Sequence, residues 1–204
     1  SGICPVGHRR RAVHLAQGAV IAALAAATLS QALASGGSAP GTGAAATAPA
    51  AVQSQLAAPA RLSGQARLTF LGFEVYDASL WVTPGFAQDR FAQHPFALEL
   101  RYLRDFEGSA IAQRSLREMQ RVETVSPEQG ERWLASMTRL FPDVRRGDRL
   151  TGVHLPAQGL RLLHNEQPVG EIRDPEFARA FMGIWLSPRT SEPQLRRQLL
   201  ADAR

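Results

Sequence analysis

An arginine and two tyrosines stand among strand-like apolar residues, Arg67 and Tyr76 within the run Arg67 to Val82 and Tyr102 near the end of Phe96 to Leu103. A guanidinium is a planar fork that makes two parallel charge-assisted bonds to a carboxylate or phenolate, each worth about 1.5–3 kcal/mol where water is excluded. Arg67 is therefore a candidate anion anchor. Tyr76 sets a hydroxyl among the same apolar residues. A competing reading gives Arg67 an ion pair with one of the 18 acids, or turns it out to solvent. Strand alternation groups it with Thr69 and Leu71 and leaves its facing open. Tyr76 and Tyr102, the only tyrosines, also fit a core in which each hydroxyl is satisfied.

Other chemistries find little support. All 23 basic residues are arginine, so a lysine Schiff base and a phosphate loop with its lysine are impossible. The one cysteine, Cys4, lies far from the folded part, which excludes a thiol nucleophile and a thiolate metal site there. His154 and His164 are ten apart in a hairpin whose turn near Ala157 to Gly159 does not set them opposite, so no metal is expected. Ser115 lacks the strand-turn-helix elbow of a nucleophile. Arg104, Arg114, Arg117 and Arg121 form a basic strip, but Asp105, Glu107, Glu118 and Glu123 interleave with it and no nucleic-acid surface results. No cofactor motif is present.

The elements that must position these residues can be read in order. Strands are expected at Leu68 to Leu71, Phe73 to Val82 and Phe96 to Leu103. In the second, Tyr76, Ala78, Leu80 and Val82 share a face, and in the third Tyr102 falls with Phe96, Leu98 and Leu100. A helix over about Ser109 to Arg121 follows. The next starts at Ser126, with Pro127 in its first turn and Gln129 completing a capping box, and stops at Pro142. Short strands at Leu150 to Leu155, Leu160 to His164 and Val169 to Arg173 complete an antiparallel sheet. Asp174-Pro175 opens a third helix carrying Phe177, Phe181, Ile184 and Trp185, and Ser191 with Gln194 caps a fourth. The class is α+β, helices on one side of a mostly antiparallel sheet.

Residues 1–34 read as an export signal: His8-Arg9-Arg10-Arg11 precedes an uncharged Ala-rich run, and Ala32-Leu33-Ala34 forms a cleavage pattern. Residues 35–60 contain no charge and are mostly Ala, Gly, Pro, Ser and Thr, which predicts a disordered tether. The domain is then 61–204. Without Arg9 to Arg11 the remainder has 20 arginines against 18 acids, or +2, so the net charge of +5 does not mark a polyanion binder.

The run Phe177 to Ser191, with Phe141-Pro-Asp-Val-Arg-Arg-Gly-Asp148 and the segment Arg67 to Val82, resembles the bacterial chalcone isomerase-like family. The resemblance implies an open-faced β-sandwich, in which a large antiparallel sheet carries a helical layer with a ligand cleft between them. Members of that superfamily cyclise chalcones, bind fatty acids or assist without catalysis. In the plant enzymes a strand arginine holds the substrate, a strand threonine orients a water, and a helix supplies a tyrosine and an asparagine. Arg67 matches the arginine and Tyr76 falls near the threonine's place, so the resemblance makes them the candidate catalytic pair, able to place a phenolate and stabilise developing charge. The helix from Gly108 to Val122 has neither Tyr nor Asn, so half of that polar set is missing. Thr190 serves a helix cap or, by the same resemblance, lines the cleft.

The expected function is an exported, periplasmic protein binding a small amphipathic carboxylate of fatty-acid type through Arg67, Tyr76, Tyr102 and Thr190. The alternatives are a cofactor-independent isomerase, an intramolecular lyase acting on a phenolic or enone substrate, and a non-catalytic scaffold for an envelope partner.

Overall fold

The computed structural model describes residues 46–203, so the expected leader and the first part of the expected tether lie outside the described residues. Six strands form one sheet in the order of the chain: β1 (Arg61–Phe70), β2 (Phe73–Val82), β3 (Phe96–Tyr102), β4 (Arg149–Leu155), β5 (Gly159–His164) and β6 (Gln167–Ile172). Every neighbouring pair is antiparallel. Helices α2 (Gly108–Val122) and α3 (Pro127–Leu140) fill the connection from β3 to β4, while α4 (Pro175–Leu186) and α5 (Pro193–Leu199) follow β6.

Local chemistry sets the helix ends. Ser126 Oγ accepts from the Gln129 backbone N–H and the Gln129 side chain accepts from the Ser126 N–H, the reciprocal arrangement expected for α3. Asp174 caps α4 by accepting from the backbone N–H of Glu176 and Phe177. The start of α5 differs from expectation. Its N-cap is Glu192, with no side-chain cap bond, and Ser191 instead donates to Glu118 Oε2 at 2.9 Å.

The sheet has two unlike faces because successive side chains alternate. One face presents Ala78, Leu80, Val82, Phe96, Leu98, Leu100 and Tyr102 to Met119 of α2, Trp133 and Met137 of α3, and Phe177, Phe181 and Trp185 of α4. The other presents Trp81, Ala97, Val153 and Leu163, and these are covered by Ala48, Val52, Leu56 and Ala60. Residues 46–60 thus form a strap rather than the expected tether. It contains the short helix α1 (Ala50–Gln53), and Thr47 bridges to Arg61. The domain boundary at residue 61 is accordingly too late. The strap supplies its own apolar residues at four-residue spacing, and Gln53 holds its far end by donating to the Ala58 carbonyl and accepting from the Ala60 N–H. Gly64 admits α5 to the edge of the sheet, since a Cβ there would lie 2.0 Å from the Gln198 carbonyl oxygen.

Candidate functional site

Arg67 and Tyr76 lie on opposite faces of the sheet. In the β1–β2 register Leu68 is opposite Tyr76 and Arg67 is opposite Asp77, so alternation turns the arginine away from the helices. Its Nε donates to Asp77 Oδ1 at 2.6 Å and its Nη2 to Asp77 Oδ2 at 3.2 Å, while Nη1 bonds Glu74. Arg101, beside Asp77 on β3, donates to the same carboxylate at 2.7 Å. The Arg67 side chain is 46% exposed, and its hydrogen bonds to Asp77 and Glu74 raise an already high pKa. Arg67 bonding, more than opposing desolvation, holds the Asp77 carboxyl below its ordinary range. The expected anchor is therefore a neutralised, solvent-facing ion pair, and it cannot act with Tyr76 on one substrate.

Tyr76 and Tyr102 do come together. They are partners across β2 and β3, their rings 6.0 Å apart and nearly perpendicular, and both face the helices. Trp185, on the last turn of α4, donates from Nε1 to the Tyr76 hydroxyl at 3.0 Å. That bond uses the oxygen of Tyr76 as acceptor and leaves its proton available. The Tyr102 hydroxyl makes no hydrogen bond to another described residue, although only 4% of the side chain is exposed. Burial, the largest influence on both phenols, pushes each pKa above its ordinary value of 10. Both hydroxyls stay protonated donors at any physiological pH.

Helix α2 adds charge beside this pair. Glu118 is buried and bonds Arg114 Nη2 at 2.8 Å, Arg121 Nε at 3.3 Å and the Ser191 hydroxyl. The sequence shows it only as an acid interleaved with the arginine strip, and here it ties α2 to the α4–α5 corner. Arg114 influences the titration of Tyr76 and lies 5.9 Å from the centre of the Phe70 ring. Thr190 takes no part: its hydroxyl donates to the Ile184 carbonyl at 2.6 Å and accepts from the Glu192 N–H at 3.1 Å, holding the corner. Of the four expected ligand residues, the structure joins the two tyrosines and separates Arg67 and Thr190 from them. Trp185 and Glu118 were missed in these roles. Helical spacing marked Trp185 as apolar packing, and nothing local shows where its N–H points.

The remaining titratable groups have structural uses. His154 stacks on Phe96 at 4.9 Å and bonds the His94 carbonyl through Nδ1, and burial lowers its pKa. Glu99 sits on the strap side at 7% exposure, its carboxyl pushed up mainly by burial and only partly offset by Arg149 at 3.5 Å. A carboxyl with a raised folded-state pKa binds its proton more tightly when folded, so stability falls as pH rises past about 4.5, the unfolded value. Glu99→Gln is expected to raise stability at pH 7, with the difference from the parent shrinking as the pH falls below about 4.5. Denaturant titrations at both pH values check this, and a pH-independent loss would contradict it.

Two surface hollows of about 430 and 320 Å³ lie around Glu171 to Arg173, one against β5 and one against α3, and neither touches the tyrosines. No helix among the described residues is long and apolar enough to cross a membrane.

A single antiparallel sheet with its helical layer on one side, and a tyrosine pair between the layers, defines an α+β protein of the open-faced sandwich class. A chalcone isomerase-like family profile matches residues 44–201, which takes in the strap as well. The chain belongs to the chalcone isomerase-like family. It is 32% identical over 143 residues to an uncharacterized protein of Haemophilus influenzae, covering 69% of this chain and 68% of that one. Its fold is similar to the crystal structure of an Arabidopsis thaliana fatty-acid binding protein, with a TM-score of 0.57 and 13% identity over 71% of this chain and 88% of the other.

Proposed function

We propose that the protein binds a small amphipathic carboxylate of fatty-acid type between the sheet and helices α2 and α4, without chemistry. The observation that carries this is the pair of protonated hydroxyls of half-buried Tyr76 and buried Tyr102, side by side between the layers, whose donor hydrogens have no acceptor among the described residues. A carboxylate accepts two such donors at once. Arg67 lies on the other face, and Arg114 on the tyrosines' side is held by Glu118 at 2.8 Å, so the two hydroxyls are the donors that meet the carboxylate. The tail supplies most of the affinity, at about 0.8 kcal/mol for each buried methylene, while the hydroxyls set orientation. The fold similarity to a fatty-acid binding protein supports the reading. We also infer export to the periplasm through residues 1–34; the N-terminal mass of protein recovered from a bacterial envelope tests that.

Native mass spectrometry of the purified full chain, together with titration by a fluorescent polyene fatty acid, tests the binding. Tyr102→Phe is expected to weaken the complex about 10- to 100-fold, the equivalent of one hydrogen bond to a charged group. Arg67→Ala should leave affinity unchanged. Absence of saturable binding, or parent-like affinity in both Tyr102→Phe and Tyr76→Phe, would overturn the proposal.

A further inference from the structure

The β1–β2 turn is apolar where a turn is normally polar. Leu71 is 81% exposed, Phe73 52% and Phe70 51%. Leu71 and Gly72 both have positive φ, +49° and +80°, the geometry that usually selects Asn-Gly. A leucine accepts backbone strain there while exposing nearly all of its side chain, and neither packing nor turn chemistry accounts for it.

Guanidinium groups flank this tip. Arg104 lies 4.6 Å from the centre of the Phe73 ring and Arg114 5.9 Å from that of Phe70. Arg104 has no carboxylate partner among the described residues. The acids nearby are largely engaged: Glu74 by Arg67, Glu118 by Arg114 and Arg121, and Asp105 by the Arg146 N–H. Glu107, before α2, is the exposed exception.

We propose that the tip is a membrane-docking prong, which places Phe70, Leu71 and Phe73 in the headgroup–acyl boundary of a bilayer and Arg104 on its anionic phosphates, Arg114 remaining paired with Glu118. Apolar side chains ringed by cations are what such an interface takes, with the arginine stems following the rings inward and the guanidiniums staying at headgroup level. Three half-exposed side chains offer on the order of 300 Å². A stable protein–protein interface needs about 800 Å² per partner, so a bilayer, which the tip enters rather than abuts, is the better fit. This inference stands apart from the ligand site.

The test uses the full chain with phosphatidylcholine vesicles, with and without phosphatidylglycerol. Because the apolar run before residue 34 can itself meet lipid, the readout is placed on the tip. Trp81, Trp133 and Trp185 are buried, and a tryptophan added by Leu71→Trp is expected to be quenched by brominated anionic lipid. One added by Ala135→Trp, on the exposed side of α3, should not be. Leu71→Asp should lower vesicle partitioning at least tenfold, and added salt should weaken that of the parent. An unquenched tryptophan at 71 in vesicle-bound protein overturns the proposal. Self-association that needs Leu71 and occurs without vesicles also overturns it, and assigns the tip to a second copy of the chain.

Discussion

Leu56→Ala is expected to lower stability by about 2–5 kcal/mol, the range for truncating a buried leucine whose surroundings relax only partly. For a chain of this size that is a fall in melting temperature of roughly 5–15 °C. Leu56 is 6% exposed and packs in one cluster with Val52, Trp81, Val153 and Leu163. The loss has an upper bound, because a strap that no longer packs can leave the sheet, and the cost then stops at its docking free energy. Proteolysis distinguishes the two regimes: cleavage confined to residues 46–60 means undocking, and uniform protection means a retained cavity. A double-mutant cycle of Leu56→Ala with Trp81→Ala should show coupling, since both line one interface. A change below about 0.5 kcal/mol, typical of an exposed site, would mean that the strap does not pack on the sheet.

The strap also marks where sequence reasoning stopped. Helices α3 and α4 were legible because their ends are written locally: Ser126 with Gln129, Pro142, and Asp174 before Pro175. Tyr76 and Tyr102 were legible because alternation is unbroken in β3 and from Tyr76 onward in β2, and their register places them side by side. The strap was not, since its composition lacks charge and bulk and only the sheet supplies its partner. A signal was nonetheless there, as Ala48, Val52, Leu56 and Ala60 recur every fourth residue. Arg67 failed differently. Strand β2 carries a bulge at Val75, opposite Leu68 and Thr69, which brings Glu74 within reach of Arg67, and pairing with Asp77 depends on a register that one strand cannot reveal. Faces of strands are local information; which acids stand across the ladder is not.

Asp174→Ala is expected to cost about 2–4 kcal/mol, because one carboxylate serves two helices. Its Oδ1 accepts from the backbone N–H of Glu176 at 2.9 Å and of Phe177 at 3.0 Å, and its Oδ2 accepts from Trp133 Nε1 on α3 at 2.8 Å. Removing the cap accounts for about 1 kcal/mol. The rest comes from the indole N–H of Trp133, which is 4% exposed and has Asp174 as its one hydrogen-bond acceptor among the described residues. Asp174→Asn keeps an acceptor oxygen and should lose less than half as much. Trp133→Phe removes the donor, so in that background Asp174→Ala should cost only the cap. Chemical denaturation of the four variants gives the cycle; strict additivity, or equal losses for Ala and Asn, would refute the shared-carboxylate account. The consequence reaches the tyrosines. Trp185 lies three turns along the same helix, about 16 Å from its start, so the cap that fixes where α4 begins also fixes where its indole meets Tyr76.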